Sequence, residues 1–136
     1  MGTVLTGEKL YNSVASILTY QSEFLYVISP FVRWDFTLID LTTETKIVTR
    51  YDSWHENQKP LIRNGFKIYD NPKLHSKIYL NDNYAIVSSM NLYETTIVEN
   101  HETGVEFFKS KSPNEYSKLL NICKSIVNDS LLITTK

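Results

Sequence analysis

The chain has 136 residues, is 42% hydrophobic and 21% charged, and is poor in Gly and Pro, which suits one globular domain with a real core spanning residues 1–136. Its formal net charge of −1 argues against a module that coats nucleic acid through a wide basic face, although a local positive groove needs no overall excess. No stretch approaches the roughly 18 continuous apolar residues of a membrane span. The opening Met1–Leu10 lacks the basic flank and apolar run of a signal peptide, so no membrane insertion and a cytoplasmic location are expected.

Gly7 to Tyr20 places Leu10, Tyr11, Val14, Ile17 and Leu18 at helical spacing, with Thr6 as the expected cap. Phe24-Leu25-Tyr26-Val27-Ile28 is a short β-rich apolar run stopped by Ser29-Pro30, which reads as a buried strand. Thr45 to Tyr51 reads as a second strand. A short helix around Trp54 to Asn64 is expected next, capped by Asp52-Ser53 and closed by Gly65. Three further strands are expected over Phe66–Tyr69, Leu74–Leu80 and Tyr84–Ser88. Asn81-Asp82-Asn83 forms the tight turn between the last two, since Asn and Asp tolerate positive φ. Gly104–Phe108 reads as a strand, and Ser112-Pro113 opens a C-terminal helix to about Val127. Cys123 lies in that helix as a small buried apolar residue, and a lone cysteine excludes an internal disulfide. Alternating helices and strands predict an α/β fold, a mixed β-sheet flanked by helices.

The chemistry concentrates in Leu74-His75-Ser76-Lys77-Ile78-Tyr79-Leu80-Asn81-Asp82 and the following Ser88-Ser89-Met90-Asn91. Strand residues two apart share a face, so His75 with Lys77 and Ser89 with Asn91 can converge on one pocket. A nucleophile, a fixed cation and neutral donors are what displacement at an anionic phosphodiester needs without a metal. Three histidines and one cysteine carry no zinc spacing, and there is no carboxylate cluster of the two-metal kind, so neither metal nor cofactor is expected.

His75-x-Lys77-x4-Asp82 followed by Ser89-x-Asn91 resembles the signature of the phospholipase D superfamily. Ile28-Ser29-Pro30-Phe31 and Asn100-His101-Glu102-Thr103-Gly104-Val105 are similar to flanking features of that family. Two departures stand out: Ser88 replaces the glycine usual before the motif serine, and the segment from Asp82 to Ser89 is one residue shorter than the common form. If the shorter hairpin shifted the register by one, Ser89 and Asn91 would point away from His75.

The resemblance implies a phospholipase D-like sandwich and a two-step displacement through a phosphohistidine. His75 would attack phosphorus, Lys77, Ser89 and Asn91 would stabilise the phosphoryl oxygens, and Glu102 would orient His75. Asp82 is assigned a structural role in the turn. Because the chain carries one motif copy and the mechanism needs two histidines, while His55 and His101 lack the Lys and Asn context, a homodimer with one shared site is implied. Met90, Leu92 and Tyr93 are the interface candidates.

Small single-motif members are nucleases, so nucleic acid is the expected substrate: nonspecific endonuclease action on DNA, with RNA as the next candidate. Arg33, Arg50 and Lys73, with Lys46 and Lys67, are candidate phosphate contacts, and Tyr51, Trp54 and Tyr69 candidate stacking residues. A phospholipid phosphodiesterase and a catalytically inactive nucleic-acid-binding or scaffold module are the alternatives.

Overall fold

Phe24–Ile28 offers apolar side chains to both sides, which suits a central strand buried on both faces. In the computed structural model, which describes residues 2–19, 22–34, 43–50, 66–93 and 101–133, this segment is the second strand, β2. It lies between β4 (Glu44–Thr49), to which it is parallel, and β6 (Ile78–Asn81), to which it is antiparallel. β5 (Lys67–Asp70) runs parallel to β4 on the other side. β7 (Tyr84–Ser88) pairs antiparallel with β6, and β9 (Thr103–Phe108) antiparallel with β7. The outer strands are β1 (Thr3–Thr6) on β9 and β10 (Leu131–Ile133) on β5, completing an eight-stranded sheet in the order β1-β9-β7-β6-β2-β4-β5-β10. A separate two-stranded parallel ribbon joins β3 (Val32–Arg33) to β8 (Leu92–Tyr93).

One described helix lies on each face. α1 (Gly7–Thr19) buries Leu10, Val14, Ile17 and Leu18 against Val27, Ile47, Ile68, Tyr79 and Ile86. α2 (Pro113–Asn128) sets Tyr116 and Cys123 against Tyr26, Ile28, Val48, Ile78 and Leu80. Each such fully buried aliphatic side chain contributes about 1.5–3 kcal/mol. Burial also pushes the Cys123 thiol up to about 12, so it stays protonated and apolar in character.

Leu80 pairs with Ala85, so Asp82-Asn83 are the whole connection between β6 and β7. Ser88 N donates to Lys77 O, so Ser88 rather than Ser89 stands opposite Lys77, and strand alternation turns Ser89 to the other side of the ladder. No described residue other than Gly7 has positive φ, so the expected left-handed turn does not form. Instead the buried Asn81 Oδ1 accepts from Asn83 N at 2.8 Å and Tyr84 N at 3.0 Å, an Asx turn that satisfies the same backbone donors. Asp82 Oδ2 accepts from Glu23 N at 3.1 Å, tying the tip to the entry of β2. The Tyr116 hydroxyl closes the hub on Asn81 O at 2.5 Å.

Several expected boundaries move. Thr6 is the last residue of β1, opposite Thr103, and Gly7 at φ 55 turns the chain directly into α1. The strand expected from Leu74 begins only at Ile78, because Leu74 is drawn into the α2-side core and its carbonyl is held by a side chain. β1, β3, β8 and β10 were not foreseen, and the helix expected at Trp54–Asn64 lies outside the described residues.

Ser88 and Gly104 face each other across β7 and β9. A Cβ on Gly104 would meet Ser88 Cβ at 2.9 Å and Leu10 Cδ1 at 2.7 Å, against about 4.5–5.5 Å for an ordinary cross-strand pair. Gly104→Ala is therefore expected to destabilise the fold by about 1–3 kcal/mol, as overpacking does. Chemical denaturation with an unchanged midpoint would show that the strands are not this close.

Candidate active site

Strands β2, β4 and β5 run the same way, and two antiparallel steps bring β7 into that direction too. One edge of the sheet therefore collects the ends of these four strands and the beginnings of β6 and β9. Ligands of open α/β sheets bind beyond such carboxyl ends. At this edge lie Ser29 after β2, Arg50 after β4, Lys73 after β5, His75 and Lys77 ahead of β6, Ser89 and Asn91 after β7, and Glu102 ahead of β9. Topology thus brings every motif residue except Asp82 to one end of the sheet. Asp82 sits at the opposite end, in the hairpin tip.

Two local groups form there. The first surrounds His75. Arg50 N donates to Pro30 O at 3.0 Å, and the Thr49 hydroxyl donates to the same oxygen at 2.8 Å, which fixes the exit of β4. From there the Arg50 side chain crosses about two strand spacings, about 10 Å. Its Nε donates to Leu74 O at 2.9 Å, and its Nη2 lies 3.1 Å from both imidazole nitrogens of His75. The guanidinium also stands 5.7 Å from the Phe31 ring centroid. Lys77 Nζ folds back onto His75 O at 3.1 Å. Asn71 shapes the preceding loop: its carbonyl accepts from Leu74 N, and its Oδ1 from Lys73 N, each at 3.1 Å.

The second group surrounds Ser89. Its hydroxyl donates to the Glu102 carboxylate at 2.6 Å and accepts from Thr103 N at 3.0 Å, while Ser89 N donates to Thr103 O at 2.9 Å. Glu102 was expected to orient His75, and this geometry corrects that expectation. With Ser89 directly across the β7–β9 ladder, the carboxylate satisfies the nearer hydroxyl. The buried Ser29 hydroxyl donates to Phe31 O at 2.7 Å and accepts from Leu92 N at 3.1 Å. Its 3.4 Å approach to Asn91 Oδ1 is the weaker contact, since one proton cannot serve two acceptors at once. The two groups are stitched together by Ser88 N, which donates to Lys77 O at 3.1 Å.

Tyr79 was missed as a functional residue. It is fully buried two residues beyond Lys77, and its hydroxyl donates to Met90 O at 2.7 Å. Burial, with Glu102 nearby adding to it, raises the phenol pKa well above the ordinary tyrosine range, so it remains a donor. The alternation His75, Lys77, Tyr79 was visible in the sequence, but an apolar neighbourhood made the tyrosine look like plain core.

The remaining candidate residues are spread over the fold. Met90 and Leu92 are buried in the α1-side core rather than free for an interface, because the chain turns inward after Ser89. Tyr93 pairs with Arg33 in the β3–β8 ribbon, where Arg33 is exposed. Lys46 and Lys67 lie at the far ends of their strands, 3.5 and 3.8 Å from Glu44, so they do not line this edge. Lys46 instead borders a cleft of about 180 Å³ beneath α2. Tyr69 packs against the α2-side core rather than facing a substrate. Tyr51, Trp54 and His55 lie outside the described residues, and His101 is exposed. No group of three or more His, Cys, Asp or Glu among the described residues is placed to hold a metal. No described helix is long and apolar enough to cross a membrane.

The sequence matches no family model and no curated protein. Solved structures are similar over nearly the whole chain. Nuc from Salmonella typhimurium, a phospholipase D family member, aligns with a TM-score of 0.76 at 14% identity, covering 99% of this chain and 100% of its own. The chain has the phospholipase D fold. NucT from Helicobacter pylori aligns at 0.77 and 12% identity, covering 98% of this chain and 99% of its own. TrmBL2, an archaeal chromatin protein described as showing a novel mode of DNA binding, aligns at 0.74 and 12% identity, over 97% of this chain and 53% of its own. On this phospholipase D fold, the Ser-Pro-Phe segment after β2 holds the Ser-x-Asn segment after β7 through Ser29.

Tyr79→Phe leaves the buried Met90 carbonyl without that donor. It is expected to lower stability by about 1–3 kcal/mol and to loosen the Ser89–Asn91 turn. Amide exchange at Met90 and Asn91 that stays at the wild-type rate would refute the positioning role.

Proposed function

We propose that the chain is a phospholipase D-type phosphodiesterase acting on nucleic acid, DNA before RNA, without a metal. The single observation that supports this most is the delivery of His75, Lys77, Ser89, Asn91 and Glu102 to one end of a phospholipase D-like sheet. In the first step the imidazole of His75 attacks phosphorus, the N–P bond forms, and the P–O bond to the leaving group breaks. The leaving oxygen takes its proton from a second histidine. Water then attacks phosphorus, gives its proton to that histidine, and the N–P bond breaks to return His75.

Lys77 and the Asn91 carboxamide would hold the non-bridging oxygens, where charge accumulates. Glu102, bonded to Ser89, acts on this reading through the serine: it turns the Ser89 oxygen rather than the His75 ring. His55 and His101 lack the Lys and Asn context of His75 in the sequence, so the second histidine is taken to be His75 of an identical chain, in a homodimer whose two-fold axis passes through the shared site. Arg33, Arg50 and Lys73 would contact the flanking backbone phosphates.

A DNA-binding module without catalysis is the second reading. It is favoured by one observation, the engagement of Glu102 with Ser89 instead of His75. The deciding experiment incubates wild type and His75→Ala with single- and double-stranded DNA, RNA and phospholipid vesicles in excess EDTA. Cleavage of nucleic acid that survives chelation and falls at least about a thousandfold in His75→Ala is expected, the scale of losing a nucleophile. Lys77→Met should cost about a hundredfold in kcat. Cleavage abolished by EDTA would overturn the metal-free mechanism. DNA binding without any cleavage, unchanged in His75→Ala, would favour the module. Turnover confined to vesicles and insensitive to salt would move the substrate to lipid.

A further inference from the structure

The end of the sheet opposite His75 holds a concavity of its own. There α2 overhangs the amino-terminal ends of β2 and β4 and leaves a cleft of about 180 Å³. The register explains its lining. Phe24 pairs with Glu44 and Tyr26 with Lys46, and these alternate residues share the side of the sheet that carries α2. Leu120 and Lys124, about one turn apart on α2, form the opposite wall. Phe24 and Tyr26 meet edge to face with ring centroids 6.0 Å apart, so the floor is aromatic.

Three proton donors border this apolar floor. Lys46 Nζ stands 5.7 Å from the Tyr26 ring centroid. Lys124 lines the cleft and has no ion pair among the described residues. The Tyr26 hydroxyl has no hydrogen-bond partner among them either, although the residue is only 6% exposed. Among the described residues, the one buried side-chain oxygen or nitrogen left without a partner is Asp82 Oδ1. The Tyr26 oxygen is therefore not sealed, and the open space beside it is the cleft that the residue lines. Burial raises its pKa, outweighing the lowering by Lys46, so it stays a donor. Acceptors are scarce. Glu44 is the one carboxylate among the lining residues, and Lys46 at 3.5 Å and Lys67 at 3.8 Å share it. Unspent protons around an aromatic floor match a ligand with a negative charge and a flat apolar body.

We propose that this cleft is a binding site for a small aromatic carboxylate. The ring lies against Phe24, Tyr26 and Leu120. The carboxylate accepts from the Lys124 ammonium and the Tyr26 hydroxyl, and Lys46 adds a second positive charge. Size sets the limit: an apolar cavity of about 150 Å³ takes benzene, so this one suits a single ring bearing a carboxylate. A nucleic-acid strand is too large for it, which separates the cleft from the chemistry at His75. The two sites occupy opposite ends of the same strands, since β2 and β4 lead to Ser29 and Arg50 at their carboxyl ends.

The test titrates the full chain, labelled with nitrogen-15, with sodium benzoate and follows the backbone amide shifts. Benzamide and acetate serve as the uncharged and the ringless controls. Benzoate should bind with a Kd of about 1 mM or tighter, moving the amides of Phe24, Tyr26, Lys46, Leu120 and Lys124 along one saturating curve. Benzamide and acetate should each bind at least about tenfold more weakly, because one forfeits the charge-assisted bonds and the other the ring contacts. Lys124→Gln, at an exposed helix position, should weaken benzoate about tenfold, and Tyr26→Phe about fivefold, the weight of one hydrogen bond each. Acetate binding as tightly as benzoate, shifts scattered over the surface lysines instead of the cleft, or unchanged affinity in both variants overturns the site. Should Tyr26→Phe fail to fold, Lys124→Gln and the two control ligands decide: equal affinities throughout overturn the proposal, and the expected losses uphold it.

Discussion

A phenol sealed inside the sheet governs where the Ser89–Asn91 turn can lie. Tyr79 sits with no exposed surface on the α1 side, and the carbonyl it serves belongs to Met90, midway between the two motif residues. A buried hydroxyl without a partner costs about 1–3 kcal/mol, so the turn is pulled down onto it. Met90 and Leu92 follow into the same core and act as apolar anchors on either side of Asn91. Ser29 adds the second restraint by accepting from Leu92 N while donating to Phe31 O. Asn91 is thus presented from a segment whose neighbours in sequence are both buried. Its side chain lies at the sheet edge because the backbone around it has nowhere else to go.

This construction separates two kinds of charge on a nearly neutral chain. Lys46 and Lys67 share Glu44 at the amino ends of their strands, and exposed ion pairs of that sort contribute little to stability. Arg50, Lys73 and Lys77 lie instead at the opposite edge, where Arg50 Nη2 stands 3.1 Å from the ring nitrogens of His75. Arg50 and Lys77 each donate to a backbone carbonyl there, Leu74 O and His75 O, which orients them without neutralising them. Among the described residues, Asp70 at the end of β5 and Glu102 ahead of β9 are carboxylates at the same edge, and the proton donor to Glu102 is a neutral hydroxyl.

Much of this was legible in the residues. Helix α1 and strands β2, β4, β5, β7 and β9 follow from apolar spacing, since core burial and sequence periodicity are the same constraint seen twice. That His75, Lys77, Ser89 and Asn91 reach one edge was legible from the strand–turn–strand order, but their shared face was not: His75 and Lys77 precede β6, and Ser88 is the residue opposite Lys77. What could not be read depends on partners distant in sequence. Leu74 was counted as strand because it is apolar, yet its carbonyl is claimed by an arginine 24 residues away. β1 and β10 are edge strands whose side chains are largely exposed, so no apolar pattern marks them. Glu102 was assigned to His75 by resemblance, and only the β7–β9 register shows that Ser89 is nearer.

The serine that stands where the family pattern has glycine illustrates how such a departure is absorbed. Position 88 lies opposite Gly104, in a ladder so pinched that a second Cβ would come within 2.9 Å of Ser88 Cβ. Only one of the two positions can carry a side chain. Here the side chain is on β7 and the vacancy on β9. The Ser88 hydroxyl then accepts from Met90 N at 3.1 Å, adding a local turn to the bond that Tyr79 makes with Met90 O. Its oxygen is thereby spent on backbone beneath the turn. Ser88 is accommodated by the glycine opposite it, and it reinforces the turn that carries Ser89 and Asn91.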